Sequence, residues 1–518
     1  MGFGVRVTDE FAGSADEVRG TRDGRVRRLA DAAARHRLTA VRQLVVGFDL
    51  DMTLIDSRPG IAATWGELAR RTGVPIDVDA TVSRLGPPLE VELANWFPAE
   101  EVAARAEEFR TLYPDFAITG TAFMPGARAA VDAVRRHGGR VVVVTAKYEP
   151  NARLHLDHLG LQVDGLVGWR WGPAKGAALA DLGATIYVGD HESDMVGAKA
   201  AGAVAVGVAT GPVSAADLTA AGADVALASL DDFASWLDGF VLDQKLADLE
   251  EHLERLGSVL VAFSGGADSA FVLAAAVRAL GPGKVVAATA VSASLPDSEL
   301  DQAAAFARDL GVRHLVPRTE ELDDPRYRAN AGNRCYFCKA ELLDVLVPLA
   351  AEHGLAYVLT GTNHDDAVAD FRPGIQAAAE RGAVTPLRDA GFTKPEVRLA
   401  SRAWGLRTWD KPAAACLSSR IAYGITITSG GLARVEHAEQ ALRVTLNTAG
   451  VDVRDLRVRD LGEDRASIEV DAELVDRVAE SRDSLAAVRA AGFSEVAVDP
   501  RGFRSGSMNE ALRGRRRA

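Results

Sequence analysis

The sequence predicts an α/β protein with two doubly wound parallel-sheet domains and a small C-terminal α/β subdomain. Three observations carry this expectation. Short runs of Val, Ile and Leu recur without the period-2 alternation of a half-exposed sheet, which is how strands buried on both faces read. Several of these runs end in a polar turn and pass into a helix-like stretch, the pattern of strand–turn–helix units. The chain has 518 residues, more than one hydrophobic core usually organises.

Composition narrows the class. With 48% hydrophobic and 25% charged residues the chain reads as soluble and globular, and the expected location is cytoplasmic. No apolar stretch is long enough for a bilayer span, and the mixed-charge N-terminus lacks an apolar signal core, so neither membrane nor export is expected. A formal charge of −13 opposes broad nucleic-acid binding. The three cysteines, Cys335, Cys338 and Cys416, all lie in the second half, and an odd count favours thiol or metal chemistry over a disulfide framework.

Residues 1–42 form an Arg-rich extension with a plausible helix from Arg25 to Arg42 and no assigned chemistry. The first domain is expected over 43–238. Its leading strand, Leu44 to Phe48, ends in Asp49-Leu50-Asp51, and two aspartates two apart at a strand's C-terminal end can enter one crevice. One carboxylate can attack a phosphoryl group while the other handles the leaving group's proton. A second strand, Val141 to Val144, ends at Thr145, whose hydroxyl suits a phosphate oxygen. Lys175 follows as a cation, and Ile186 to Val188 leads to Asp190 and Asp194, oxygen ligands fit for Mg²⁺.

These four pieces in this order resemble the haloacid dehalogenase superfamily of phosphatases. The resemblance implies a Rossmann-like domain in which Asp49 is the nucleophile and Asp51 the general acid/base. It implies phosphate binding by Thr145 and Lys175, and Mg²⁺ held by the set Asp49, Asp51, Asp190 and Asp194. The mostly helical region at about 60–119 (Ala62–Arg71, Pro88–Phe97, Glu100–Tyr113) looks like the cap of the phosphoglycolate-phosphatase-like branch, an element that excludes water and selects substrate. A degenerate, non-catalytic fold of this kind is opposed by the intact charged residues.

An acidic amphipathic helix, 239–257, is expected to link the halves, with no Gly/Ser/Pro-rich tether. The second domain is expected over 258–424. Its first strand, Val259 to Phe263, meets the turn Ser264-Gly265-Gly266-Ala267-Asp268-Ser269 and then a helix. Two glycines there let backbone come close to an oxyanion, which the N–H groups and positive dipole end of the helix then face. The turn is too short for a Walker loop and has no lysine. It resembles the pyrophosphate (PP-) loop of the N-type ATP pyrophosphatases, of adenine nucleotide α-hydrolase-like fold. A second edge of the nucleotide pocket is expected where Tyr357–Thr360 ends in Gly361, Thr362, Asn363 and the nearby Asp366. Residues 425–518 read as the subdomain, with a helix at Leu432–Ala449, strands at Leu456–Arg459 and Ala466–Val470, a helix at Ala472–Ala491, and a basic tail at Arg513–Arg517.

The set SGGADS, NRCYFCK, GTNHDD, DFRPG, TKPEVR, WDKPAAACLSSR and FRSGSMNE, across roughly 245–510, resembles the LarE-type ATP-dependent sulfur transferases. The resemblance implies that ATP sits on Ser264, Gly265, Gly266, Asp268 and Ser269. A carboxylate of a pyridinium mononucleotide would be adenylated and converted to a thiocarboxylate for the nickel-pincer nucleotide, the lactate racemase cofactor. In one form of the family, Cys416 would give up its own sulfur and act catalytically. In the other, Cys335, Cys338 and Cys416 would hold a 4Fe-4S cluster with one iron open for sulfide. The whole cysteine inventory fits the cluster form, since sacrifice leaves the C-x-x-C without a role. Structural zinc would need a fourth ligand such as His364. Arg420, Arg457, Arg459 and Arg504 are candidates for the substrate's phosphate. Small-molecule nucleotides are the expected partners, with homo-oligomer contacts through the C-terminal half. A tRNA-modifying sulfur transferase is the competing reading, opposed by the acidic charge.

Overall fold

A computed structural model describes residues 43–368, 373–412 and 415–504. The expected N-terminal helix, the basic tail, Asp370 to Arg372, and the SGSMNE end of the last motif lie outside them. Two compact units divide the chain, one ending at Asp243 and the other running from Gln244. The helix Phe233–Leu256 carries the chain through that boundary.

The first unit is built on a parallel sheet of β1 (Val45–Phe48), β4 (Arg140–Val144), β5 (Gly165–Val167), β6 (Ile186–Gly189), β7 (Val204–Val208) and β8 (Val225–Leu227). Across the sheet they run in the order β5-β4-β1-β6-β7-β8. Val46, Phe48, Val141, Val143, Ile186 and Val188 are fully buried, and β-branched residues pack well on such a two-sided core. Two short antiparallel strands, β2 (Ile55–Asp56) and β3 (Ala122–Phe123), mark where the chain leaves and re-enters this core. Between them lie the cap helices Arg58–Thr72, Val78–Ser83, Leu89–Leu93 and Ala99–Phe116. They close on their own core, in which Trp65 and Phe109 meet at 4.9 Å. The second cap helix is an addition to the sequence reading; the Asp77 side chain accepts from Ala80 N at 2.9 Å and starts it. The helix expected over Pro88–Phe97 shortens to Leu89–Leu93 and passes into turns before Pro98.

His155 is a buried group of this unit, 0% exposed, with Nδ1 at 2.7 Å from Thr121 Oγ1 and Nε2 at 2.9 Å from Tyr113 OH. Burial, and then Lys147, lower its pKa to about 3. The unfolded chain takes up this proton near pH 6.5, so the stabilising effect of the neutral ring is complete above that pH and is lost as pH falls toward 3. The unfolding free energy of the full chain from urea titrations should fall with a slope of up to about 1.4 kcal/mol per pH unit below pH 6.5, and less steeply in His155→Asn. Identical slopes in both would remove His155 as the cause.

The second unit holds a parallel sheet of β9 (Val259–Ala262), β10 (Val285–Ala288), β11 (Arg313–Leu315) and β12 (Tyr357–Leu359), in the order β11-β10-β9-β12. The helix Ala267–Leu280 after β9 is buried along most of its length, and Phe271 stacks on Trp404 at 4.8 Å. A three-stranded sheet follows. Its β13 (Leu456–Asp460) is antiparallel to β14 (Arg465–Val470), which is parallel to β15 (Glu495–Val498). The helix Ser429–Thr448 covers it through Leu432, Val435, Leu442 and Leu446. The single helix expected at 472–491 is instead a 3₁₀ turn, Ala472–Leu474, and two helices, Val475–Glu480 and Arg482–Ala490. Ser481 causes the break: its hydroxyl accepts from Ser484 N at 3.2 Å and caps a new start. Strand β15 was not anticipated. Among the described residues no helix is long and apolar enough to cross a membrane.

Candidate active sites

Asp49 and Asp51 leave the C-terminal end of β1, Thr145 that of β4 and Asp190 that of β6, so the parallel topology delivers all four to one edge. Oxygens of Asp49, Asp190 and Asp194 lie within 4.8 Å of one another. Lys175 Nζ reaches Asp49 Oδ1 at 2.8 Å and Asp194 Oδ1 at 2.5 Å, and the lysine is 1% exposed. Thr53 donates to Asp190 at 2.9 Å, and Asp194 also accepts from His191 N as part of a capping box. Burial raises the pKa of Asp49 to about 7; Lys175 opposes that rise, while Asp194 and Asp51 add to it. Burial, then Asp194 and Asp49, push Asp190 well above the carboxylate range. Three buried carboxylates face one ammonium, and a hard divalent cation is the partner such an oxygen set fits.

The Asp51 carboxylate stands outside that cluster, which corrects its inclusion among the metal-ligating side chains. Its Oδ1 lies 2.9 Å from Lys147 Nζ and accepts from Ser57 Oγ. Burial works to raise its pKa, but Lys147 and Ser57 outweigh burial and hold it low. Lys147 Nζ also donates to Tyr113 OH at 2.5 Å, and its N–H reaches Thr145 Oγ1 at 3.3 Å. Burial lifts the Tyr113 phenol to about 12, keeping it neutral. Sequence reading missed Lys147, Ser57 and Tyr113; the one available signal was a lysine two residues beyond Thr145. The Asp site opens into a cavity walled by Trp65, Phe109 and Tyr113 of the cap and by Thr145, Lys147 and Lys175 at the sheet edge.

In the second unit the turn after β9 is closed by Ser269. Its Oγ accepts from Ser264 N at 3.3 Å and donates to Gly266 O at 3.1 Å, while Gly265 takes a left-handed φ of +72°. A Cβ at Gly361 would stand 2.7 Å from Ser269 N, so the end of β12 passes directly against this turn. Beyond it Asn363 Oδ1 accepts from Asp366 N at 3.0 Å, folding Thr362 to Asp366 into a tight turn. Two lysines with no assigned role reach the same place. Lys394 pairs with Asp268, and Lys411 donates to Gly265 O at 3.1 Å and pairs with Glu299 at 2.7 Å.

Cys335 and Cys338 stand in the first turn of the helix Arg334–Glu352, and Cys416 precedes the 3₁₀ turn Leu417–Arg420. Burial raises the Cys338 thiol, and Cys416, Glu321 and Cys335 raise it further, so the three sulfurs share one neighbourhood. They do not converge within 4.8 Å, alone or with a histidine, whereas zinc draws its sulfurs to about 3.8 Å. The neighbourhood is pinned by Arg334, whose Nη1 donates to Ser418 O at 2.7 Å, and by Tyr327 OH, 2.5 Å from Ser418 Oγ.

Arg420 makes a bidentate pair with Glu439 at 2.9 and 3.1 Å, and Arg459 pairs with Glu469 at 2.7 Å while donating to Ser419 O. Burial, then Arg420, lower the Arg457 pKa to about 10, with Glu439 opposing and Arg459 adding to the effect. These three arginines gather beside the Cys416 turn. Arg504 lies 3.5 Å from Asp499.

A parallel sheet with a helical cap and an aspartate–lysine centre at its C-terminal edge defines the first unit as a capped hydrolase domain. Residues 46–199 match the haloacid dehalogenase-like hydrolase family, and 173–234 match a second family of the same hydrolases. A phosphoglycolate phosphatase of Rhodospirillum rubrum is 34% identical over 37% of this chain and 89% of its own length. An uncharacterized protein of Synechocystis is 42% identical over 52% of this chain and 99% of its own. The pyridinium-3,5-bisthiocarboxylic acid mononucleotide synthase of Lactiplantibacillus plantarum is 36% identical over 52% of this chain and 96% of its own. The chain belongs to the haloacid dehalogenase-like hydrolases and, over about half its length, to the family of that synthase.

Proposed function

We propose that the chain joins a Mg²⁺-dependent phosphatase to an ATP-dependent sulfur transferase acting in nickel-pincer nucleotide synthesis in the cytoplasm. In the first unit Asp49 attacks the phosphorus of a phosphate monoester. Asp51, which takes up a proton on leaving Lys147, gives it to the departing alcohol and then takes one from the water that attacks the phospho-aspartate and releases phosphate. Lys175 and Thr145 hold phosphate oxygens. Asp49, Asp190 and Asp194 would hold Mg²⁺, which supplies the charge that lets an anionic ester approach an anionic nucleophile.

In the second unit ATP's phosphates lie along the turn Ser264–Ser269, with Gly361, Thr362, Asn363 and Asp366 at the nucleotide's other side. A pyridinium carboxylate attacks the α-phosphorus and pyrophosphate leaves. A sulfur nucleophile then displaces AMP from the acyl-adenylate, yielding the thiocarboxylate. A 4Fe-4S cluster on Cys335, Cys338 and Cys416 would keep one iron without a protein ligand and so supply a place to carry that sulfur. Arg420, Arg457 and Arg459, with Arg504, receive the substrate's phosphate.

One strip of chain carries the reading that ATP and sulfur chemistry meet. Lys411 touches the Gly265 carbonyl, and Cys416, five residues on, is among the groups that raise the Cys338 thiol. Pyrophosphate release with carboxylated pyridine mononucleotide is the test. Lys411→Ala should cut kcat/KM for ATP by about 10–100-fold, the loss expected when one charged hydrogen-bond donor to a phosphate is removed. A wild-type chain that releases no pyrophosphate with that substrate, or does so only with tRNA, would defeat the reading.

A further inference from the structure

We propose that the ester hydrolysed at Asp49 carries a flat heteroaromatic ring, as a mononucleotide does, and that Trp169 is the platform on which the ring stacks. This rests on the phosphatase reading above and adds its substrate class. The reacting groups occupy one end of the cavity. The lining continues past those groups to the cap segment 84–92 and to Arg110. The remaining lining is mixed but includes six aromatic residues: Trp65, Phe109 and Tyr113 from the cap, and Tyr148, Trp169 and Trp171 from the loops beyond the sheet.

A lone exposed tryptophan needs no explanation. Trp169 differs because its backbone is held in a conformation that bulky residues avoid. Its φ is +54°, a left-handed value that costs free energy and persists only where the surroundings impose it. The turn is built to impose it. Trp169 N donates to Lys147 O at 3.0 Å, and Gly168 is required beside it because a Cβ there would stand 2.6 Å from Glu149. The indole packs on Tyr148 at 4.9 Å, yet the residue stays 58% exposed at the cavity wall. Arg110 lies over both rings at 5.4 and 5.6 Å and is itself paired with Glu90, so a cation already uses this π surface. A strained turn that holds a largely exposed indole beside a phosphate-binding centre suits a stacked ring, which would take the place of the Arg110 guanidinium.

The full chain with Mg²⁺ should be assayed on adenosine 5′-monophosphate, nicotinic acid mononucleotide, ribose 5-phosphate and phosphoglycolate. At least one mononucleotide should exceed ribose 5-phosphate in kcat/KM by about tenfold or more, the ring's stacking contribution. Trp169→Ala should lower that ratio by a similar factor, mainly through KM, and Trp169→Phe should restore most of it. Equal or better turnover of ribose 5-phosphate or phosphoglycolate overturns the ring assignment and leaves the phosphatase standing. A ratio unmoved by Trp169→Ala overturns the platform. Failure of every ester overturns the phosphatase reading itself, and the ring with it.

Discussion

Asp49→Asn should reduce phosphate-ester hydrolysis by about 10⁴-fold or more, the scale seen when a nucleophile is removed, and leave ATP-dependent pyrophosphate release unchanged. Asparagine keeps the shape and a weak metal-ligating oxygen but cannot form a phosphoryl ester. The substitution also removes one of three buried carboxylates that crowd a single ammonium, while Lys175 retains Asp194. The folded chain should therefore tolerate it, and an unchanged thermal transition beside lost phosphate release is the expected pair of results. Pyrophosphate release should persist because the Ser264–Ser269 turn belongs to the other compact unit. Phosphate release within tenfold of wild type would remove Asp49 as the nucleophile.

Much of this centre was legible because its residues sit where strands stop. A buried apolar run ending in Asp49, Thr145 or Asp190 fixes both the strand and the edge at which its last residue emerges, and a parallel sheet sends all such ends the same way. Contacts made only by tertiary packing were not legible. Lys147 turns back to Asp51, and Tyr113 and His155 meet behind it across 42 residues of sequence. No local pattern encodes that meeting; only the cap helix Ala99–Phe116 folding over the core brings it about. Lys394 and Lys411 fall inside the quoted TKPEVR and WDKPAAACLSSR segments, but their contacts with the glycine turn were hidden for a similar reason. Each is an ordinary charged residue until the chain closes on the Gly265–Gly266 turn. At Ser481 the error was local: an uninterrupted amphipathic run hides a serine that caps a second helix as readily as it continues the first.

Cys416→Ala should bring thiocarboxylate formation to the no-enzyme background while ATP still yields pyrophosphate. The split arises from the layout. The adenylating contacts lie on the turn after β9 and at Lys411, whereas Cys416 begins the Leu417–Arg420 turn beside Cys338. Losing its sulfur leaves the Arg334 and Tyr327 bonds to Ser418 in place, so the segment should hold its position. Cys335→Ala and Cys338→Ala decide how the sulfur is held. With a cluster on three thiolates, each change should lower bound iron after anaerobic purification and abolish thiocarboxylate formation as fully as Cys416→Ala does. The wild-type peptide around Cys416 should keep its mass after turnover. If both C-x-x-C variants instead make thiocarboxylate, and the wild-type Cys416 peptide is lighter by one sulfur, then the pair at 335 and 338 only shapes the pocket. Cys416 would then be the donor, consumed in a single use. Adenylation at the glycine turn would stand in either case, because pyrophosphate release does not depend on which sulfur accepts the acyl group.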